Sequence, residues 1–163
     1  MDEKERKVYE ALESLGIPYT RHEHPAVYTV DEAKEYWENI KGLHSKNLFL
    51  RNKKGEKHYL AVLLDSRKIS IKEMENKISD KELSFASPER LAKYLDLTPG
   101  AVSPFGLIND VERHVILILD RALIKADYVN FHPNINTVTI TIKGKDFGKF
   151  IAWCGHQTIF LDL

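Results

Sequence analysis

A lysine stands at the front of a short apolar run in "HSKNLFLRNKKG", residues 44–55, where Lys46 precedes Leu48, Phe49 and Leu50. A lysine so placed either snorkels, its stem on apolar surface and its ammonium in water, or holds its charge at the mouth of a site. In "TPGAVSPFGLIND", residues 98–110, Gly100 sits in a loop stiffened by Pro99 and Pro104. Glycine lets a backbone approach a ligand closely, proline removes freedom around it, and such a loop can aim N–H groups at an oxyanion. The same stretch reads equally as a rigid turn, and it contains no phosphate-binding or dinucleotide motif. His132 in "NFHPNIN" lies between a short apolar stretch and a turn marked by Pro133, with Asn134 and Asn136 following, so a fixed histidine and amide stand beside a loop. His22 and His24 in "RHEHP" would face one side of a strand, but carboxylate and cysteine partners at ligand spacing are missing; surface histidines and no metal are the expectation. The single cysteine, Cys154, excludes an internal disulfide, and just before Gly155 it reads as a small buried residue at a helix end rather than a nucleophile.

These residues need elements to carry them. Val8, Leu12 and Leu15 share one helical face over residues 3–15, and Gly16 is a natural stop. Residues 17–24 alternate loosely as a strand, and Thr29 with Glu32 forms a capping box for a second helix bearing Tyr36, Trp37 and Ile40. "NLFLRNKKGEKHYLAVLLD" has the pattern of a β-hairpin, with Lys46 where its first strand begins. Ser70 with Glu73, and Ser87 with Pro88 behind it, announce two short helices. "HVILILD" reads as a buried strand and "TVTITI" as an alternating one; a helix over 145–154 and a last strand, "TIFLDL", complete the chain.

With 163 residues, 43% hydrophobic and 29% charged, the chain is the right size for one folded domain, 1–163, with neither repeat nor linker. Lysine plus arginine and aspartate plus glutamate both number 24, which argues against indiscriminate coating of nucleic acid or anionic membrane. A local exception is residues 41–57, where Lys41, Lys46, Arg51, Lys53, Lys54 and Lys57 face one acid, Glu56. No apolar run approaches a membrane span and the N-terminus has no signal-peptide core, so a cytoplasmic protein is expected.

Taken in order and spacing, "KNLFLRNKKGEKHYL", "LSFASPERLAKYL", "TPGAVSPFGLIND", "VILILD" and "FHPNIN" resemble the YbaK/prolyl-tRNA synthetase editing-domain family, nearest to its freestanding branch that clears alanine from proline tRNA. The resemblance runs from about residue 4 to the C-terminus. It implies an α/β fold with a mixed, strongly curved, partly barrel-like sheet flanked by helices, and an aminoacyl-ester hydrolase acting in trans on mischarged tRNA(Pro) without a cofactor. The family's lysine falls on Lys46, followed by Asn47; its glycine loop on Gly100, with Ala101 and Ser103 beyond; its histidine on His132, with Asn136 after it. By the same resemblance Lys46, Gly100, Ala101 and His132 are the expected catalytic set, Asn47, Ser103 and Asn136 the substrate contacts, and prolyl-tRNA synthetase a possible partner. Residues 69–72, "ISIK", and Asp96 depart from the family pattern outside the expected pocket.

That chemistry suits these residue types. A proline site rejects a smaller alanine poorly, because missing methylenes are worth only ~1–3 kcal/mol, so a second, smaller pocket removes the error. An aminoacyl ester is already activated and needs a positioned water and a stabilised oxyanion, not a covalent nucleophile. The expected scheme holds the ester carbonyl against N–H groups around Gly100 and Ala101, with His132 positioning substrate or water and a ribose hydroxyl assisting proton transfer. A pocket tuned to cysteine or serine, or a tRNA-binding module without catalysis, remain the alternatives. The basic residues Lys41, Arg51, Lys53, Lys54 and Lys57 are the expected tRNA contacts.

Overall fold

The computed structural model describes the backbone of residues 1–163 and every side chain except that of Val30. The elements follow in the order α1 (Glu3–Ser14), β1 (Thr20–Glu23), α2 (Val30–Trp37), β2 (Leu43–Arg51), β3 (His58–Leu64), α3 (Ile71–Ile78), β4 (Ser84–Phe85), α4 (Pro88–Leu95), a 3-10 helix (Pro104–Asn109), β5 (Ile116–Asp120), α5 (Ala122–Lys125), β6 (Tyr128–Phe131), β7 (Val138–Lys143), α6 (Gly144–Cys154) and β8 (Thr158–Leu161). Hydroxyl caps start three helices where the sequence places them. Thr29 Oγ1 accepts from Glu32 N, Ser70 Oγ from Glu73 N and Ser87 Oγ from Arg90 N. α2 ends at Trp37, so Ile40 lies outside it; β4, α5 and β6 are elements of two to four residues that no sequence pattern announces.

The strands pair in the order β1-β7-β6-β2-β3-β5-β8, with β4 also on β2. β2 pairs antiparallel with β3, while β3–β5, β5–β8 and β2–β6 are parallel, so the sheet is mixed. β1 and β8 end the pairing order and do not meet, so the mixed sheet is open rather than a closed barrel. β3 is buried from His58 through Leu63, as its unbroken apolar run requires of a strand covered on both faces. Leu60 and Val62 face a large core with α1, α4 and α6, and Tyr59, Ala61 and Leu63 face a smaller one under α3. β7 divides its residues the other way: Val138, Ile140 and Ile142 enter the large core, leaving Thr139 and Thr141 as a polar face.

One feature of β2 opens the sheet. Leu43 and His44 pair with β6, and Leu50 and Arg51 pair with β4. Both neighbours lie on the edge opposite β3, and between them the edge of β2 at residues 45–48 carries no strand. The two sides are stitched at His44 by Asn130, whose Nδ2 donates to the carbonyls of Lys41 and Leu43 at 2.8 and 3.2 Å, while its Oδ1 accepts from Thr141 Oγ1 at 2.5 Å.

At the other end of the hairpin, His58 is wholly buried and must be neutral. Arg90 can only donate, so its contact at 2.9 Å makes His58 Nε2 an acceptor, and Nδ1–H then donates to His114 Nε2 at 2.9 Å. Burial, with Arg90, Arg51 and Lys93 nearby, pushes the His58 pKa down to about 4. The unfolded chain binds this proton near pH 6.5, so stability is complete above that pH and falls as the pH drops towards 4. We expect urea denaturation at pH 5 to show about 2 kcal/mol less stability from this residue than at pH 7, and His58→Phe to flatten that dependence. An equally steep decline in the variant would assign the effect to other groups.

Candidate active site

The open edge of β2 forms one wall of a cleft of about 200 Å³, through Ser45, Lys46, Asn47 and Leu48. Gly100 and Val102 of the glycine loop and His132 form further walls, and residues leading into and along α2, among them Tyr28, Ala33 and Trp37, close it from above. The gap in the sheet is therefore what makes room for the site.

Lys46 is half-buried, and its ammonium donates to the carbonyl oxygen of Arg67. That carbonyl is steady because the Arg67 guanidinium bonds the buried carboxylate of Asp120 at 2.9 Å, which also accepts from Leu64 N at 3.0 Å and Ala122 N at 3.1 Å. The lysine is thus anchored rather than free in water, with two of its three N–H donors left. Asn47 Nδ2 donates to Ser45 Oγ at 3.2 Å, and its Oδ1 is buried without a partner.

Gly100 has φ +88°, a conformation glycine adopts without the Cβ penalty. A Cβ there would stand 2.6 Å from Cδ1 of Tyr28. The expectation of paired N–H donors at Gly100 and Ala101 needs correction. The Ala101 N–H donates to Thr98 O at 3.1 Å, closing the turn, so it is not available to a ligand. Among the described residues the N–H groups of Gly100 and Val102 have no protein acceptor, and both residues line the cleft. Ser103 is also displaced from its expected role: it is fully buried, outside the cleft, and its Oγ accepts from Phe105 N at 3.1 Å as the cap of the 3-10 helix. Asn136 stands behind the glycine loop, where its Nδ2 donates to Val27 O at 3.2 Å and ties down the segment entering α2.

His132 contacts Val138 O through Nδ1 at 2.8 Å; a carbonyl only accepts, so Nδ1 carries the hydrogen and Nε2 is the acceptor. Burial lowers its pKa, and the nearby His24 adds to the effect, so the ring is neutral at pH 7. His24 does not gather ligands with His22. Its Nε2 accepts from Thr139 Oγ1 at 2.8 Å, and the His22 ring lies 3.3 Å from Thr141 Oγ1, so both meet the polar face of β7. Among the described residues no group of three possible ligands surrounds a metal position. Cys154 is buried away from the cleft, and burial pushes its thiol up to about 12.

Sequence patterns do not single out two residues beside the cleft. Trp37 stacks on His44 with ring centroids 4.1 Å apart and planes within 12°. Burial pushes the His44 pKa down to about 4, so the ring is neutral at pH 7. Its Nε2 is buried without a partner. The "HSKN" stretch holds His44 two residues before Lys46, and that proximity is the only local signal.

The basic stretch does not form one surface. Lys41 lies over the Tyr128 ring at 3.9 Å, at the start of β2, while Arg51, Lys53, Lys54 and Lys57 lie at its far end. Lys53 pairs with Glu82 at 3.1 Å. Arg90 joins the tip from α4, donating to Gly55 O at 3.0 Å, so Arg51 and Arg90 both flank Gly55.

The fold and this cleft define a known class: the family model described as the aminoacyl-tRNA editing domain matches residues 24–150, and the chain belongs to that family. Among its relatives, the prolyl-tRNA editing protein ProX of Acetoanaerobium sticklandii is 43% identical over 164 residues, covering 100% of this chain and 99% of that one. Prolyl-tRNA synthetase associated domain-containing protein 1 of Bos taurus is 32% identical over 155 residues, covering 93% and 90%. A crystal structure reported as a candidate trans-editing enzyme for prolyl tRNA synthetase superposes with a TM-score of 0.71 at 22% identity, covering 100% and 99% of the two chains. Among the described residues no helix is long and apolar enough to cross a membrane.

Proposed function

We propose that this chain is a trans-acting aminoacyl-tRNA deacylase that hydrolyses the ester of mischarged tRNA(Pro), with alanine the amino acid removed. The observation that carries this reading is the cleft itself, which joins an anchored ammonium, two uncommitted backbone N–H groups and a neutral histidine, while Ser103 serves as a cap and Cys154 as core. Such a set stabilises a tetrahedral oxyanion on an ester that is already activated. Val27, Ala33, Leu48 and Val102 give the cleft an apolar side, which suits a methyl group better than a hydroxyl. Gly100 and Val102 receive the carbonyl oxygen, Lys46 adds positive charge beside it, and His132 orients the substrate. The vicinal ribose hydroxyl of the terminal adenosine assists proton transfer. The scheme needs no cofactor. It places the protein in the cytoplasm with translation; a partnership with prolyl-tRNA synthetase rests on the names of the relatives.

The test is a deacylation panel with alanyl-, cysteinyl-, seryl- and prolyl-tRNA(Pro). Alanine released with turnover supports the proposal; preferred release of cysteine or serine moves the specificity, and binding without release makes the chain a binding module. A tRNA ending in a 2′-deoxy adenosine, if hydrolysed at the normal rate, removes the hydroxyl from the mechanism.

The tip of the β2–β3 hairpin is the proposed contact for tRNA phosphates. Because Lys53 is already paired, Lys54→Glu with Lys57→Glu is the sharper variant. It should weaken tRNA binding and flatten the salt dependence of affinity, by up to ~0.9 in slope for each phosphate no longer neutralised, without changing the unfolding midpoint. Unchanged affinity would take the tip out of the interface.

A further inference from the structure

Behind the cleft lies a second, much smaller chamber of about 20 Å³, and Trp37, Ser45, Asn47 and His132 line both spaces. His44 also lines the chamber. The volume is room for one water molecule and for nothing larger. Two of the lining residues carry buried polar atoms without a partner, His44 Nε2 and Asn47 Oδ1. Asn47 Oδ1 is an acceptor, its amide donating through Nδ2 to Ser45, and a neutral His44 ring protonated on Nδ1 presents Nε2 as a second acceptor. An acceptor pair is matched by a molecule with two hydrogens to give.

We propose that this chamber seats the hydrolytic water, with His44 Nε2 and Asn47 Oδ1 accepting its two hydrogens, and that His44 is the base in the deacylation. The inference rests on the deacylase reading and supplies the group that activates the nucleophile. With both hydrogens held, an oxygen lone pair is left for the wall shared with the cleft. The water oxygen bonds to the ester carbonyl carbon as its proton passes to His44 Nε2. The tetrahedral intermediate then collapses and the bond from carbon to the ribose oxygen breaks. The proton leaves Nε2 for that oxygen by way of the vicinal hydroxyl, giving the free amino acid and an uncharged tRNA. Trp37, stacked on the imidazole, holds the ring in place.

Two readouts test this. A high-resolution crystal structure of the unliganded chain should show an ordered water within about 3 Å of both His44 Nε2 and Asn47 Oδ1. A chamber without that water overturns the seat whether or not the chain deacylates tRNA. In kinetics, His44→Phe keeps an aromatic ring against Trp37 but removes the acceptor. It should lower kcat for alanyl-tRNA(Pro) about a hundredfold, the scale of a lost general base, with KM unchanged. Enzyme-dependent cleavage of the same ester by hydroxylamine, a nucleophile that needs no seat, should survive in the variant. A kcat within about threefold of wild type, or hydroxylaminolysis that falls in parallel with hydrolysis, overturns the role of His44. The wild-type rate in the same assay tests the deacylase reading separately.

Discussion

Lys46→Ala is expected to lower alanyl-tRNA(Pro) deacylation by about a hundredfold or more, the scale of removing one oxyanion-stabilising group, while the protein stays folded. The size of the effect follows from how the lysine is held. Its ammonium is pinned to the Arg67 carbonyl, and the Arg67 side chain is pinned to Asp120, so the charge sits at a fixed place on the cleft wall. A preorganised charge in a partly desolvated site stabilises developing negative charge far better than the same charge moving in water. Stability should change little, because Lys46 is only half-buried and the strand register on both sides of it is set by the pairing of β2 with β3. The measurement is single-turnover deacylation beside a thermal melt. Near-normal turnover would reduce Lys46 to a residue that merely packs its stem on the strand.

Gly100→Ala should be nearly as damaging to activity. The substitution meets two obstacles that differ in kind. The first is the backbone: φ +88° is a region where an L-residue costs ~1–2 kcal/mol, and relaxing it turns the loop N–H groups away from the cleft. The second is the Tyr28 ring, 2.6 Å from where the new Cβ would stand. Tyr28 is 67% exposed, so its ring can swing aside, whereas the backbone cannot relax without re-aiming Gly100 and Val102. We therefore expect kcat/KM to fall by about a hundredfold, with Tyr28→Ala in the same chain recovering only a minor part. If the single variant keeps activity within about threefold, the loop is a rigid turn and the oxyanion is held elsewhere.

The features legible in the sequence are those that a few neighbouring residues decide. A hydroxyl followed three residues later by a carboxylate or a proline start is a local device, and the caps at Thr29, Ser70 and Ser87 stand where they read. The same logic applied to Ser103 and Pro104 identifies a cap and keeps Ser103 out of the substrate contacts. Ala101 escapes a local reading for a different reason: whether its N–H is free depends on whether the turn closes on Thr98, which the spelling of the loop does not disclose. β4 and β6 escape notice because two and four residues are too few for any period to show. The cleft itself is decided by long-range pairing, since Lys46, Gly100 and His132, far apart in sequence, share it only in the fold. His44 and Trp37 lie on different elements, and no local pattern foretells that they stack.

The gap along β2 also bears on solubility. A strand edge without a partner is a template on which another chain can add, and proteins usually blunt such edges with charge, distortion or cover. Here the bare stretch is residues 45–48, bounded at one end by β6 and at the other by β4. It is recessed beneath Ala33 and Trp37 of α2 and faces the glycine loop rather than open solvent. The walls that shape the cleft for a small ester are thus also the guard that keeps an exposed β edge from recruiting a second copy of the protein.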